Sequence, residues 1–356
     1  MIYIVAPNNF SSGGPELLHQ LAYILKNKFK KDVKMYYFPV TKTNPVHKEF
    51  RKYRIDYVTK IIDDKKNTLV VPEVYSNIKL AAQYNKINKI LWWLSVDNYL
   101  NSRFRSKNNK LVRFIIKLPY YLIFIFNKMV VYKYGILTLK DYLFYFYLLI
   151  NFKKDNLLNQ FKFHLCQSIY AINFLKKKIK NKNIYILQDF QKDIFLKENK
   201  KFKTIIKNKK NIITYNATKA NDFMNKILDK NKNIKFIPLK NLTPEKMLSY
   251  LKASKIYMDF GFHPGKDRPP REAALLGNCI ITNFKGSAGF HRDVGISRMY
   301  KFKETAENLF KISNLIKDIF YNYEENLFNF QKYRKSILLE RVIFLKQLKK
   351  ISKIFN

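Results

Sequence analysis

The sequence predicts an α/β protein of two domains, each a parallel sheet flanked by helices, with a cleft between them. Three observations carry this. Short apolar runs alternate with amphipathic helical runs, the pattern of parallel sheets. The alternation occurs twice, on either side of a lysine-rich stretch at residues 191–210. The chain has 356 residues, too many for one ordinary core and suited to two.

The first series spans 1–190. "MIYIVAP" reads as a buried strand, "NNFSSGG" as a loop and "PELLHQLAYILKNKF" as a helix. Pro15 suits a first helical turn, where a missing N–H costs nothing, and Glu16 complements the positive helix end. Leu17, Leu18, Leu21, Ile24 and Leu25 recur at helical spacing on one face. "VKMYYFPV", "TLVVPEV" and "KILWWLSVD" follow as strands, with "NIKLAAQYNKIN" as a helix between the last two. "KFHLCQSIYAINFLKKKI" and "NIYILQD" repeat the pattern.

The second series spans 191–356. After the polar stretch "QKDIFLKENKKFKTIIKNKK", read as an interdomain linker, the segments "NIITYN", "ANDFMNKILDKN", "IKFIPLKN", "TPEKMLSYLKAS", "KIYMDFGF", "PPREAALLG" and "NCIITNF" alternate strand and helix, beginning with a strand. Helical patterns rich in Phe, Leu and Ile run from about Glu304 to the end. Sheets of this kind bind ligands at the carboxyl ends of their strands.

An aromatic, basic insertion at about 99–160 interrupts the first series. Its uncharged runs "LPYYLIFIFN" and "YLFYFYLLINF" are short for a bilayer span. It reads either as helices packed into the first domain, as a basic amphipathic hairpin in a membrane interface, or as a transmembrane hairpin.

Composition narrows the partners. A hydrophobic content of 47% with 16% aromatics excludes a disordered chain. The net charge of +42 favours anions: phosphorylated substrates, acidic headgroups or nucleic acid. Cys166 and Cys279 lie far apart in apolar segments and read as reduced core thiols. The five histidines show no metal-ligand spacing, so neither metal nor cofactor is expected. "MIYIVAPNN" lacks the basic region and apolar run of a secretion signal, which predicts a cytoplasmic protein.

Arginine usage points to a site. The chain holds 57 Lys and 11 Arg, and four of the arginines (Arg268, Arg271, Arg292, Arg298) fall within 31 residues. Pro269 and Pro270 delete N–H groups at the start of the "PPREAALLG" helix, so an anion there must be held by side chains: Lys266, Arg268 and Arg271. A guanidinium matches paired phosphate oxygens with a fixed fork. Glu272 reads either as a ribose acceptor or as a carboxylate complementing the helix dipole. Gly13 and Gly14 border the expected cleft at a helix start, where a ligand can approach backbone N–H groups. Asp97, at the end of "KILWWLSVD", is a candidate general base or a helix cap. His263 and His291 flank the arginine-rich helix, and His19 reads as core-packed.

"EAALLGNCIIT" resembles the nucleotide-sugar motif of GT-B-fold glycosyltransferases, and the family 4-like form found in bacterial capsule and surface-polysaccharide enzymes in particular. The resemblance implies two Rossmann-like domains facing a cleft. It gives Glu272 the ribose, and "KGSAG" (with Gly286 and Ser287) the sugar-phosphate loop. "ITYNATKAN" resembles the segment that sets an Arg and a Lys against the diphosphate; Lys219 matches the second position and Asn216 stands near the first. The family's first glutamate is absent: Pro264 occupies its place, between His263 and Gly265. The implied activity is a metal-independent transfer of a sugar from a nucleotide-diphosphate donor to a glycan or lipid-linked acceptor in surface polysaccharide synthesis. The implied location is the inner face of the plasma membrane, against an anionic surface. A basic nucleic-acid-binding protein and a catalytically inactive GT-B scaffold are the alternatives; no nucleic-acid motif occurs.

Overall fold

The structure, a computed structural model, describes residues 1–107, 156–179 and 183–355. Most of the 99–160 insertion therefore lies outside the described residues. Among the described residues no helix is long and apolar enough to cross a membrane.

The chain divides into two compact units. The first comprises, of the described residues, 1–107, 156–189 and 343–355. Its seven strands are β1 (Ile2–Pro7), β2 (Val33–Phe38), β3 (Tyr57–Val58), β4 (Thr68–Pro72), β5 (Asn88–Trp93), β6 (Phe163–Cys166) and β7 (Ile184–Ile186). They form one sheet in the order β3-β2-β1-β4-β5-β6-β7, every neighbouring pair parallel. That order reverses beside β1, as in doubly wound sheets. Helices α1 (Gly13–Asn27), α2 (Tyr75–Ala81), α3 (Val96–Lys107) and α4 (Ile169–Lys176) make the crossovers. Strands covered on both faces need apolar side chains throughout, and the run Ile90, Leu91, Trp92, Trp93 is fully buried.

The second unit is Phe190–Val342. The stretch read as a linker instead forms α5 (Asp193–Asn199) and α6 (Phe202–Lys207). Phe195 and Ile205 anchor these helices in the core, while their lysines face out. Beyond them lie β8 (Lys210–Asn216), α7 (Asp222–Lys230), β9 (Lys235–Leu239), α8 (Pro244–Ala253), β10 (Ser254–Asp259), α9 (Arg268–Leu275) and β11 (Cys279–Thr282). The strands pair in parallel in the order β11-β10-β8-β9. Thr243 caps α8 by accepting from the Lys246 N–H, with Pro244 in the first turn. Gly277 ends α9 at φ +83, the left-handed conformation that glycine adopts without Cβ strain.

Helices α10 (Ala306–Tyr321), α11 (Tyr323–Phe328), α12 (Gln331–Leu338) and α13 (Glu340–Ile351) complete the chain. The expected second domain ran to residue 356, but the segment from Ile343 onward belongs to the first unit. Phe344, Leu348 and Ile351 are buried at helical spacing, and Gln347 Oε1 accepts from the Gln188 N–H at 3.0 Å. Periodicity reveals that such a helix has an apolar face; it does not reveal which sheet that face meets.

Candidate functional site

The second unit concentrates its polar side chains at the carboxyl edge of its sheet. Parallel strands end on one side, so the loops after β8, β10 and β11 share that edge. Asp259, the last residue of β10, is buried and held from three directions. Its Oδ2 accepts from Asn216 Nδ2 at 2.9 Å and from the Tyr257 hydroxyl at 3.0 Å, and its Oδ1 from the Gly261 N–H at 3.1 Å. Thr282 Oγ1, ending β11, donates to the Asp259 carbonyl at 2.7 Å and lies 3.0 Å from His263 Nε2. Strand ends thus fix the β10–α9 loop.

Along that loop, charges alternate. His263 Nδ1 lies 3.2 Å from Asp267 Oδ2, and the same oxygen receives Lys219 Nζ at 2.6 Å. Burial disfavours a charged His263, but Asp259 and Asp267 outweigh it and raise its pKa above the ordinary value. Burial likewise works against an ionised Asp267, yet His263 and Lys219 hold its pKa below the usual carboxylate value. Lys219 keeps 31% of its side chain exposed, so this buried relay ends on a partly exposed lysine.

The β11 loop is stitched onto the same place. Ser287 donates from its N–H to the His263 carbonyl at 2.8 Å and from its hydroxyl to the Gly265 carbonyl. Gly286 has φ +56, and a Cβ there would overlap the His263 carbonyl. Only glycine permits this approach. Asn283 Nδ2 reaches the Phe260 and Gly261 carbonyls, each at 2.8 Å, and Lys285 pairs with Glu304 at 2.6 Å. Lys219, His263, Gly265, Gly286 and Ser287 are therefore brought together.

Asp259, His263 and Asp267 offer ligand atoms within 4.8 Å of one another, a spacing that can hold a metal ion. Those atoms are already engaged: Asp259 Oδ1 by Gly261, His263 Nε2 by Thr282, and Asp267 Oδ2 by Lys219. The donor set fits an ion-pair relay in which the ammonium supplies the positive charge.

Lys266 and Arg271 instead face Glu340, and here the sequence reading is corrected. Arg271 was expected at a phosphate, but its guanidinium is fully buried. Its Nη1 donates to Glu340 Oε2 at 2.8 Å, its Nη2 to the Lys266 carbonyl at 2.7 Å and its Nε to the Asp267 carbonyl at 3.0 Å. Lys266 pairs with the other oxygen of Glu340 at 2.9 Å. These two side chains pin α9 to the start of α13. Arg268 and Glu272, in the first turns of α9, are buried at 9% and 6% exposure.

Gly13, Gly14 and Asp97 belong to the first unit. Gly14 is not sterically demanded, since a Cβ would meet only Leu94 Cδ1 at an ordinary 3.5 Å. Asp97 sits half-buried in the first turn of α3, its Oδ1 accepting from the Tyr170 hydroxyl at 3.2 Å. A second carboxylate, Glu73, escaped the sequence reading. It follows β4, is buried, and its Oε2 accepts from the Leu94 N–H at 3.0 Å. Burial pushes its pKa up to about 7 against hydrogen bonds from the Leu94–Asn98 turn. An acid directly after a buried strand was the available signal.

This architecture is the GT-B fold, two parallel-sheet α/β units in one chain. The chain is similar to Anabaena HepE (Alr3699) solved in complex with UDP, with a TM-score of 0.53 and 11% identity over 99% of each chain. It is also similar to the lipopolysaccharide outer core galactosyltransferase WaaB in its apo form, with a TM-score of 0.51 and 12% identity over 97% of this chain and 99% of that one. A UDP-forming α,α-trehalose-phosphate synthase from Burkholderia xenovorans, in complex with glucose-6-phosphate, gives 0.51 and 7% over 98% and 100%. No protein-family description and no curated protein sequence matches the chain. At these identities the likeness is one of fold.

Proposed function

We propose that the chain is a glycosyltransferase that moves a sugar from a nucleotide-diphosphate donor to a glycan or lipid-linked acceptor in surface polysaccharide assembly. The observation that carries the reading is the partly exposed Lys219 side chain at the end of a buried relay, on a fold shared with a UDP complex over 99% of both chains. A second HepE structure, with UDP and glucose, has the same fold likeness at a TM-score of 0.52.

The second unit is the donor side of this proposal. Lys219 meets the diphosphate, Gly286 and Ser287 line the sugar-phosphate loop, and Glu272 accepts from the ribose hydroxyls. His263 and Asp267 act as positioning residues for Lys219, while Lys266 and Arg271 position α9 through Glu340. In the reaction the bond from the anomeric carbon to the diphosphate oxygen breaks, and its electron pair leaves with the diphosphate. An ammonium already fixed by Asp267 stabilises that growing charge without reorganisation. The acceptor oxygen bonds to the anomeric carbon as its proton passes to a general base, the role the sequence suggests for Asp97. Lys-rich surfaces and the 99–160 insertion would keep the enzyme at the anionic inner face of the plasma membrane.

The test is nucleoside-diphosphate release from a panel of nucleotide sugars, with wild type, Lys219→Met, Glu272→Ala and Asp97→Asn. Release by wild type that falls at least tenfold in each variant supports the reading. Release from no member of the panel, or variants as active as wild type, would refute it.

A further inference from the structure

We propose that the first unit carries a binding site for an acidic oligosaccharide at the carboxyl ends of β2 and β3. There the chain from Val40 to Tyr57 folds over the sheet edge and leaves two adjoining cavities, of ≈ 410 Å³ and ≈ 240 Å³, which share Tyr37, Asn44 and Tyr57 as walls. The larger has the volume of a small-molecule site.

Charge selects the ligand in the larger cavity. Arg51 and Arg54 line it. Arg51 lies in the 3₁₀ turn Lys48–Tyr53, and Arg54 is its cap, in the left-handed conformation. Neither guanidinium has a hydrogen bond or ion pair among the described residues. Asp56 lines the same cavity, but its carboxylate is taken by Lys26 at 3.3 Å and Lys34 at 3.0 Å. The floor adds no opposing charge. His19 is buried, lies 2.9 Å from the Tyr37 hydroxyl and stacks on Phe50 at 4.2 Å. Burial lowers its pKa to about 4, so the ring is neutral. Two unpaired guanidiniums in a chain that otherwise prefers lysine suit a planar carboxylate or a phosphate.

Hydroxyls and rings select a sugar. Thr41, Thr43 and Thr59 line the smaller cavity beside Asn44. Tyr57, 43% exposed, offers a ring face where the two cavities meet. The acidic residue of the glycan takes the arginine-lined cavity, and its neighbour takes the hydroxyl-lined one. Binding rests on these cavities alone; that the bound glycan is the acceptor rests on the transferase reading above.

Calorimetric titration of the full chain at physiological ionic strength, without nucleotide, tests the site. The probes are a hyaluronan tetrasaccharide, which carries carboxylates, maltose 6′-phosphate and neutral maltotetraose. One or both acidic probes bind saturably and at least tenfold more tightly than maltotetraose, and the stronger identifies the charged group. Arg51→Gln/Arg54→Asn weakens that binding at least tenfold. Lys65→Gln/Lys66→Gln, exposed on the same unit, leaves it within twofold. The proposal is overturned if no probe binds at millimolar concentration, if maltotetraose binds equally well, or if the lysine and arginine variants lose equal affinity. A failed titration here with intact donor turnover would discard this site and leave the transferase reading standing.

Discussion

Replacing Glu340 by glutamine should loosen α9 and the loop before it. The Glu340 carboxylate is 3% exposed and takes Lys266 at one oxygen and Arg271 at the other, 2.9 Å and 2.8 Å away. Both cations are themselves buried, at 7% and 0% exposure. Removing one member of a buried pair strands the other in a poorly solvated site, at a cost of about 3–5 kcal/mol. Since about 1.4 kcal/mol is one decade, local opening around α9 should rise by roughly two to four decades. Hydrogen-exchange mass spectrometry of peptides spanning Lys266–Leu275 reads this directly. The double variant Glu340→Leu/Arg271→Met restores part of the loss, because it removes the anion together with one of its two cations and leaves only Lys266 without Glu340, with a coupling of about 2 kcal/mol or more. Exchange changed less than about threefold by Glu340→Gln, or strictly additive variants, would refute the positioning role assigned to Arg271.

Three further outcomes follow from local geometry. Gly286→Ala should destabilise the β11 loop by about 1–3 kcal/mol, since φ +56 alone costs a non-glycine residue about 1–2 kcal/mol and its Cβ would overlap the His263 carbonyl; faster exchange at Ser287–Gly289 checks this, and wild-type exchange contradicts it. Burial raises the Glu73 pKa to about 7 from an ordinary 4.5, so its contribution is fully present below the lower value and is lost as pH rises through the higher. At 1.36 kcal/mol per unit the swing is about 3 kcal/mol, and Glu73→Gln should flatten the fall in stability between pH 5 and 8. Fluorescence-monitored unfolding through Trp92 and Trp93, in the same unit, compares the two; identical pH profiles would contradict the raised pKa. His263→Asn should raise the Asp267 pKa, because a cationic partner is lost, and with it weaken the hold on Lys219; carboxyl NMR titration reads the shift, and an unmoved Asp267 would count against the relay.

Much of the architecture was legible because each buried strand is a short apolar run closed by turn residues. Ile2–Pro7, Thr68–Pro72 and Cys279–Thr282 are examples. Gly277, between α9 and β11, and Gly286, in the loop after β11, stand where the backbone turns left-handed. What failed to show were long-range pairings. Nothing near Arg271 announces that its partner is Glu340, 69 residues on. Local chemistry therefore suggested a phosphate where the fold supplies a carboxylate. Helices α5 and α6 were hidden for a related reason: Phe195 and Ile205 carry the packing amid a lysine background that reads as a polar linker. The return of Ile343–Phe355 to the first unit is a tertiary choice among apolar faces. Lys219 was singled out through motif resemblance and His263 by its place beside the arginine-rich helix; that Asp267 joins them depends on the β10–α9 loop folding back toward the end of β8.

The most direct measurement is the affinity of a panel of nucleoside diphosphates, and of their parent nucleosides, for wild type and Lys219→Met. At least one diphosphate should bind saturably and its nucleoside at least tenfold more weakly, and Lys219→Met should cost that diphosphate about 1.5–3 kcal/mol, the range for a charge-assisted hydrogen bond, with the nucleoside unaffected. A diphosphate and its nucleoside binding equally, diphosphate affinity unchanged by Lys219→Met, or no diphosphate binding at millimolar concentration would contradict the diphosphate role of Lys219.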